Sequence, residues 1–222
     1  MKNYTRTQVL LLALVLIAGC KKNDKNVVNH TILTEEFASV YSLPGKDWYF
    51  FTNNSPNAAA QWTQGNSNPK AGPPVFDAWS YKNTPDEYTY INGDYNYLPA
   101  PVEISSWMIT PSVLVKNGDE VQFYARSLGQ PVTVDRLQLL LNETSDSHEV
   151  GYTPVSVGEF TKILFDINSN LVPGAFPSVW TKYNMQISGL TGTMKTRLAF
   201  RYVVDGLKAS GIGVDAFTIT RK

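Results

Sequence analysis

The sequence predicts an all-β fold, a sandwich or a barrel, from three observations. Short apolar-rich runs recur at short spacing, and Gly, Pro and Asn residues separate them. The segment Glu120–Ser127 (EVQFYARS) alternates, with Val121, Phe123 and Ala125 on one face, which is the period-2 pattern of a half-buried strand. No window of a dozen or more residues has the periodicity of an amphipathic helix. Many short strands of this kind are typical of sandwiches and barrels.

The first 19 residues have the pattern of an export signal. Lys2 and Arg6 form a positively charged start, and residues 9–18 (VLLLALVLIA) are a continuous apolar run. As a helix, this run would be about 15 Å long, roughly half the thickness of the hydrocarbon core of a bilayer. We therefore expect a signal peptide here and not a mature transmembrane helix.

Residues 17–20 (IAGC) end the apolar run and include Cys20, the only cysteine in the chain, so that no intramolecular disulfide can form. They resemble the lipobox of bacterial lipoproteins. The resemblance implies diacylglycerol on the Cys20 sulfur, cleavage before Cys20 and acylation of the new amino terminus. Several acyl chains such as palmitate anchor a protein stably to a membrane. The alternative is a chance cysteine at the end of an ordinary signal peptide.

The charge of the mature chain excludes two classes of partner. Removal of residues 1–19 takes away Lys2 and Arg6, which leaves 17 basic residues against 19 acidic residues, a net charge of −2. A chain without a basic excess has no electrostatic footprint for nucleic acid and no polybasic surface for lipid head groups. We expect the lipid on Cys20 to make the only membrane contact.

The composition divides the mature chain into a tether and one domain. Residues 20–31 begin with the cysteine and continue as KKNDKNVVNHT, which is polar and typical of a flexible tether. Residues 32–222 contain no internal linker, and we expect a single β-sandwich domain. Lys21, Lys22 and Asp24 resemble the charged sorting signals of surface lipoproteins in the Bacteroidetes, and the alternative is a solvated spacer. We expect an outer-membrane lipoprotein of the cell envelope, on the external face if the sorting signal applies and on the periplasmic face if it does not.

The predicted strands follow one another between turn-rich stretches, and residues 116–119 (KNGD) form a tight turn of the hairpin type. Residues 53–100 contain six prolines and many aromatic residues, which predicts long loops packed on the sandwich with a strand or two inside. The other predicted strands are residues 103–111, 120–127, 134–142, 160–167, 183–187, 197–203 and 214–220.

A series of short motifs resembles one family over almost the whole mature chain. In order, they are Glu36-Phe37, Asp47-Trp48, Trp62 with Gly65, residues 107–111 (WMITP), 121–123 (VQF), 136–139 (RLQL), 197–202 (RLAFRY) and 213–217 (GVDAF). This series resembles the choice-of-anchor J family, whose relatives include the cleaved-adhesin domains of gingipains. The resemblance implies a jelly-roll β-sandwich similar to carbohydrate-binding modules and galactose-binding-like domains. The chain departs from the family at Ala216, where the family has a second acidic residue.

The resemblance also implies a structural calcium site. Glu36, near the first strand, and Asp215, in the last strand, match acidic positions of the family, and adjacent termini would bring them together. Ca²⁺ takes six to eight oxygen ligands, including carboxylates and backbone carbonyls. Because Ala216 has no carboxylate, such a site would depend more on carbonyl oxygens. The alternative is that both acidic residues face solvent or make ordinary hydrogen bonds.

An aromatic stretch predicts the ligand-binding surface. Residues 79–97 combine Trp79, Tyr88, Tyr95 and Tyr97 with several Asn and Asp residues, a composition that suits stacking on sugars and hydrogen bonding to their hydroxyls. The alternative is that these rings cover the core. That alternative is favoured for the four tryptophans Trp48, Trp62, Trp107 and Trp180.

Catalysis has little support in the sequence. Neither of the two histidines, His30 and His148, belongs to a His-x-x-x-His metal pair, and the chain has no Gly-x-Ser-x-Gly elbow. We therefore expect a lipid-anchored, non-catalytic binding or adhesin-type domain whose ligand is a glycan or an extracellular protein. The alternatives are a structural or assembly subunit of an envelope complex and, third, a hydrolase.

Overall fold

The computed structural model describes residues 30–55, 61–66, 89–93, 103–127 and 131–222. These residues form thirteen strands and three short 3₁₀ turns. The strands are β1 (His30–Glu35), β2 (Tyr49–Thr52), β3 (Trp62–Asn66), β4 (Thr89–Gly93), β5 (Glu103–Ile109), β6 (Val113–Val115), β7 (Glu120–Ser127), β8 (Leu137–Leu141), β9 (Lys162–Ile167), β10 (Thr181–Gln186), β11 (Met194–Thr196), β12 (Leu198–Asp205) and β13 (Ile212–Arg221). No helix among the described residues is long and apolar enough to span a membrane.

Two antiparallel sheets form a β-sandwich, which confirms the predicted fold class. The six-stranded sheet has the order β10-β7-β13-β4-β3, and β1 also pairs with β13. The five-stranded sheet has the order β2-β5-β12-β8-β9, and β6 and β11 form a separate pair. Strands that are neighbours in space are mostly distant in the sequence, so that each sheet is built from both halves of the chain.

All seven predicted strand segments contain strands, and residues 53–100 contain β3 and β4, as expected. Boundaries differ by at most three residues, and the short strands β2, β6 and β11 were not predicted. Strand β1 begins at His30 and therefore includes the last two residues of the predicted tether. His30 belongs to the sheet because it pairs with Arg221 of β13.

The main core lies between the two sheets and follows the period of the strands. On β7, Val121, Phe123 and Ala125 are fully buried, while the residues between them are half-buried. The ring of Phe123 packs edge-on against Phe200 of β12, with a centroid distance of 5.1 Å, and so joins the two sheets. Burial of each large apolar side chain contributes about 1.5–3 kcal/mol to folding.

A second apolar cluster covers the outer face of the five-stranded sheet. It is made by Trp107, Ile109, Leu140, Val150, Phe160 and Ala199. Val150 and Phe160 belong to the segment 142–161, which crosses this face between β8 and β9. Trp107 is fully buried there, and the Arg201 guanidinium lies 5.0 Å from the centre of its ring. As a result, β5 is buried on both faces, in contrast to β7.

The turn at residues 116–119 is present but does not form a hairpin, which corrects the sequence-based expectation. Gly118 has a φ of +89°, and the Asp119 N–H donates to the Lys116 carbonyl. The strands on either side of the turn pair elsewhere, β6 with β11 and β7 with β10 and β13. The buried Asp119 carboxylate explains this difference, because it binds Arg221 of β13 at 2.7 Å and ties the turn to the last strand.

The sandwich has two distinct ends. At one end, here called the loop end, β12 finishes at Asp205, a 3₁₀ turn follows at Gly206–Lys208, and β13 begins at Ile212 opposite Ser127. At the other end, here called the terminal end, His30 pairs with Arg221 and Asp119 holds the same arginine. The ten residues of β13 separate the ends by about 30 Å, at about 3.3 Å per residue.

Candidate functional site

A cleft opens at the edge of the sandwich where β2 of one sheet faces β3 of the other. It has a volume of about 320 Å³ and is here called the edge cleft. Strands β2 and β3 are the outermost strands of their sheets on this side. Two 3₁₀ turns, Val40–Ser42 and Pro44–Lys46, lie beside it. The described residues that line it are Val40, Tyr41, Pro44, Phe50, Gln61, Trp62, Thr63 and Gln64.

The segment between β1 and β2 places Tyr41 at the cleft. Val40 and Leu43 are buried, while Tyr41 between them is 88% exposed. A 3₁₀ helix has three residues per turn, so residues three apart point the same way and the residue between them points elsewhere. Phe37 and Trp48 bracket the segment and pack edge-on in the core, with a centroid distance of 5.7 Å. The core therefore anchors both ends of the segment that presents the Tyr41 ring.

Strand β3 forms a second wall of the edge cleft. Trp62 is almost fully buried, and its indole N–H donates to the Ser106 carbonyl at 3.2 Å. The Gln64 carboxamide accepts from the Val40 N–H at 2.7 Å and donates to the Phe37 carbonyl at 3.0 Å. These bonds attach the 3₁₀ segment to β3, which fixes the width of the cleft before any ligand arrives.

The chemistry of the edge cleft is that of an amphipathic, uncharged surface. Among the described residues that line it, none carries a charged side chain. Tyr41 and Phe50 supply aromatic faces, while Gln61 and Thr63 supply an amide and a hydroxyl. The volume of about 320 Å³ lies at the lower end of the range of small-molecule sites. Flat rings beside neutral hydrogen-bonding groups suit a neutral ligand with both apolar and hydroxylated faces.

The predicted ligand-binding residues Trp79, Tyr88, Tyr95 and Tyr97 lie outside the described residues, as does Cys20. In the sequence, Tyr95 and Tyr97 follow Gly93, the last residue of β4, by two and four positions. The prediction that tryptophans belong to the core is confirmed for Trp48, Trp62 and Trp107. Trp180 differs, because it is only half-buried.

The two acidic residues of the calcium prediction have different environments. Asp215 is buried and accepts from the Ala216 N–H at 2.8 Å, whereas Glu36 is exposed. The neighbouring Glu35 is the buried member of the acidic pair, and it binds the Lys46 ammonium at 2.9 Å. Within residues 30–55, 61–66, 89–93, 103–127 and 131–222, no three His, Cys, Asp or Glu side chains form a group able to hold a metal. Calcium binding at Glu36 and Asp215 stays a prediction.

A second aromatic surface lies on the outer face of β2. Tyr49 and Phe51 lie side by side, and the exposed His148 ring stacks on Tyr49 with a centroid distance of 4.1 Å. Arg197 lies over the Tyr49 ring at 5.0 Å. A hydrogen bond and the charge of the neighbouring Asp47 raise the pKa of Tyr49, so this phenol stays neutral at physiological pH.

Sequence reasoning missed the described residues of the edge cleft. The signal was present around Tyr41, where apolar residues at positions 37, 40 and 43 recur every three residues. This spacing indicates a 3₁₀ segment with one buried side, which leaves Tyr41 on the other side. Sequence alone could not show that β2 and β3 would meet there, because their pairing partners lie elsewhere in the chain.

Comparison with solved structures finds the same fold in bacterial adhesin domains. The K3 cleaved adhesin domain of Lys-gingipain from Porphyromonas gingivalis is similar with a TM-score of 0.55 and 15% identity, over 86% of this chain and 98% of that one. For the K1 cleaved adhesin domain, the TM-score is 0.53 and the identity is 15%, over 87% of this chain and 99% of that one. For a family 11 carbohydrate-binding module of Clostridium thermocellum, the TM-score is 0.40 and the identity is 12%, over 85% of this chain and 94% of that one.

No protein-family model matches the chain, and no curated protein matches it. The solved structures confirm the resemblance to cleaved adhesin domains as a likeness of fold. The assignment to the choice-of-anchor J family stays a prediction.

Proposed function

We propose that this protein is a non-catalytic binding domain that captures a neutral sugar unit of an extracellular glycan in the edge cleft. The observation that carries the proposal is the uncharged cleft that the exposed Tyr41 lines together with Phe50 and the amide of Gln61. Aromatic rings stack on the C–H faces of sugars, and neutral amides and hydroxyls bond to their hydroxyl groups.

The chemistry of the cleft favours binding over catalysis. Glycoside hydrolysis by the common mechanisms uses two carboxyl groups that flank the bond to be cleaved. The described residues of the cleft include no carboxylate, and the nearby Glu35 is engaged with Lys46. The solved structures that share the fold at TM-scores above 0.5 are named as adhesin domains, and a binding role agrees with that name.

The proposal includes a lipid anchor at Cys20 and a place on the outer membrane. The apolar run that ends in the residues IAGC supports it. Strand β1 begins ten residues after Cys20, at the terminal end of the sandwich. Acylation at Cys20 would therefore attach the domain to the membrane through its terminal end.

The sugar site is tested by one substitution and a matched control. The variant Tyr41→Ala should lose about tenfold in affinity for the neutral glycans that the unaltered protein binds on an array, because it removes the exposed stacking ring. Its melting temperature should change little, because Tyr41 is 88% exposed. The control is Tyr152→Ala, which removes an equally exposed tyrosine outside the cleft.

Two outcomes would contradict the proposal. One is an array on which the unaltered protein binds no neutral glycan, and the other is a loss of binding that is equal for Tyr41→Ala and Tyr152→Ala. The variants Tyr95→Ala and Tyr97→Ala, measured on the same array, test the residues predicted from the sequence. Loss of binding in these two but not in Tyr41→Ala would move the sugar site away from the edge cleft.

A further inference from the structure

A smaller cleft lies at the loop end, on the outer face of the five-stranded sheet, and is here called the loop-end cleft. Its volume is about 190 Å³, below the usual range of small-molecule sites but enough for a side chain. Its lining is mainly apolar, with three charged residues among the group. These lining residues include Glu103, Arg136, Val155, Leu171, Val203 and Asp205.

Leu171 at this cleft has an unfavourable conformation for its residue type. It is 42% exposed, and its φ of +51° lies in the left-handed region that favours Gly, Asn and Asp. The loop imposes this conformation, because the Leu171 N–H donates to the Asn168 carbonyl and the Asn168 side chain accepts from the Val172 N–H at 2.9 Å. A strained, exposed leucine contributes little to folding, and such outliers point to function.

The surroundings of Leu171 add further exposed apolar side chains. Val155 on the rim is 80% exposed, and three more lie on the loops at this end, namely Val132 (75%), Val172 (49%) and Leu207 (64%). Backbone hydrogen bonds fasten these loops together, from the Gly174 N–H to the Thr133 carbonyl at 2.8 Å and from the Val134 N–H to the Lys208 carbonyl at 2.9 Å. Clustered exposed apolar residues of this kind mark protein interaction sites.

The floor of the cleft is rigid before binding. Arg136 forms two hydrogen bonds to the Asp166 carboxylate, at 2.7 and 2.5 Å, and Gln138 donates to the same group at 3.0 Å. The buried Arg201 donates to Gln138 at 3.2 Å and to the Pro154 carbonyl, which fixes the position of the adjacent Val155. A preformed cleft loses little conformational entropy when it binds a partner.

One carboxylate is available at the rim. The positive charge of Arg136 is engaged by Asp166. Asp205 accepts from the Leu207 N–H at 3.1 Å and pairs with Lys208 at 3.7 Å. Glu103 is exposed, and its carboxylate has no ion-pair partner among the described residues. A basic group of a partner would therefore find the Glu103 carboxylate beside an apolar cavity.

From these observations we propose that the loop-end cleft binds a segment of a partner protein that inserts an aliphatic side chain beside Leu171 and Val155. A neighbouring Lys or Arg of that segment pairs with Glu103. This interaction is independent of sugar binding in the edge cleft. With the anchor proposed above, the cleft lies at the end of the sandwich opposite the point of attachment, where an external or envelope protein can reach it.

The test uses the purified full chain and a displayed library of random 12-residue peptides. The expected enriched peptides carry Leu, Ile or Val next to Lys or Arg. Titration with one such peptide should show at least tenfold weaker binding by Leu171→Asn. The melting temperature of this variant should stay the same or rise, because Asn tolerates the left-handed conformation better than Leu. Glu103→Gln should weaken binding several-fold and reduce its dependence on salt.

The matched control is Leu114→Asn, which alters an exposed leucine of β6 at the terminal end and should bind the peptide as the unaltered protein does. Failure to enrich such peptides would overturn the proposal, as would peptide binding that is unchanged by Leu171→Asn. A dimer of the protein that this variant abolishes would instead assign the cleft to a second copy of the chain. Loss of peptide binding by Tyr41→Ala would place the peptide in the edge cleft.

Discussion

The outer faces of the two sheets are covered in different ways. On the six-stranded sheet, the outward residues of β7 are half-buried and those of β10, such as Lys182 and Asn184, are exposed. On the five-stranded sheet, segment 142–161 lies over the outer face, and Trp107 is fully buried beneath it. At β7 and β10 the first face thus carries mainly polar side chains, while the second face has an apolar cluster and a charge network of its own.

The covered face also builds the more specialised surface. Arg201, buried under segment 142–161, holds Pro154 and so forms one side of the loop-end cleft. Burial lowers the pKa of Arg201 to about 10, with a contribution from the charge of Arg136, but the group stays protonated at neutral pH. A segment that packs on a sheet can therefore create a binding cleft at its margin, which a solvated sheet face does not offer.

The prediction with the largest effect compares the free energy of unfolding of variants on the outer faces of the two sheets. Trp107→Ala should lower the free energy of unfolding by about 3–5 kcal/mol, because it leaves a cavity under segment 142–161. Tyr124→Ala, on the half-buried outer face of β7, should cost less than about 1 kcal/mol. Urea unfolding measures both values, and similar losses would show that the segment does not bury Trp107 as described.

A smaller effect concerns the charges of the covered face. Burial tends to raise the pKa of Asp166, but hydrogen bonds from Arg136 and Gln138 outweigh it and hold the pKa below its ordinary value of 3.8. Because the folded state binds this proton more weakly than the unfolded state, stability is present above about pH 4 and falls as the pH drops below it.

Asp166→Asn should therefore cost about 2–3 kcal/mol at pH 7, since Arg136 and Arg201 lose their common counter-charge. It should also reduce the loss of stability in acid. Urea unfolding from pH 3 to pH 7 measures both effects. The comparison variant is Glu120→Gln, whose carboxylate on the other sheet binds the exposed Lys222, and its cost should stay below about 1 kcal/mol. A larger loss for Glu120→Gln would contradict this assignment.

The smallest expected effect tests how closely segment 142–161 is folded. Gly158 has a φ of +54°, and a Cβ there would lie 2.1 Å from the Glu149 carbonyl oxygen. Gly158→Ala should cost about 1–3 kcal/mol and make the segment more sensitive to protease, since the backbone must move. Gly118→Ala, which also has a positive φ but open space around it, should cost about 1 kcal/mol without that sensitivity. Equal protease sensitivity in the two variants would rule out the close contact.

Much of the fold could be predicted, because strand patterns are local. The alternation of β7 identified its bounds and its inner face from eight consecutive residues. The turn at Gly118 was also recognisable, but its place in the fold was not, since Asp119 bonds to Arg221 more than 100 residues away. Trp107 was expected in the core, yet nothing in its neighbourhood indicated a second core outside the sheet.

The same distinction between local patterns and long-range contacts applies to the candidate sites. By itself, the sequence determined the strand content, the single cysteine at the end of an apolar run and the near-neutral charge, because each depends on composition or on neighbouring residues. Only the tertiary structure decided that Tyr41 and Phe50 would line one cleft with residues 61–64 at the start of β3 and that Leu171 would border Glu103 and Val155. The strands that carry these groups belong to different sheets or are separated along the chain, and it is the pairing and packing of the strands that brings them together.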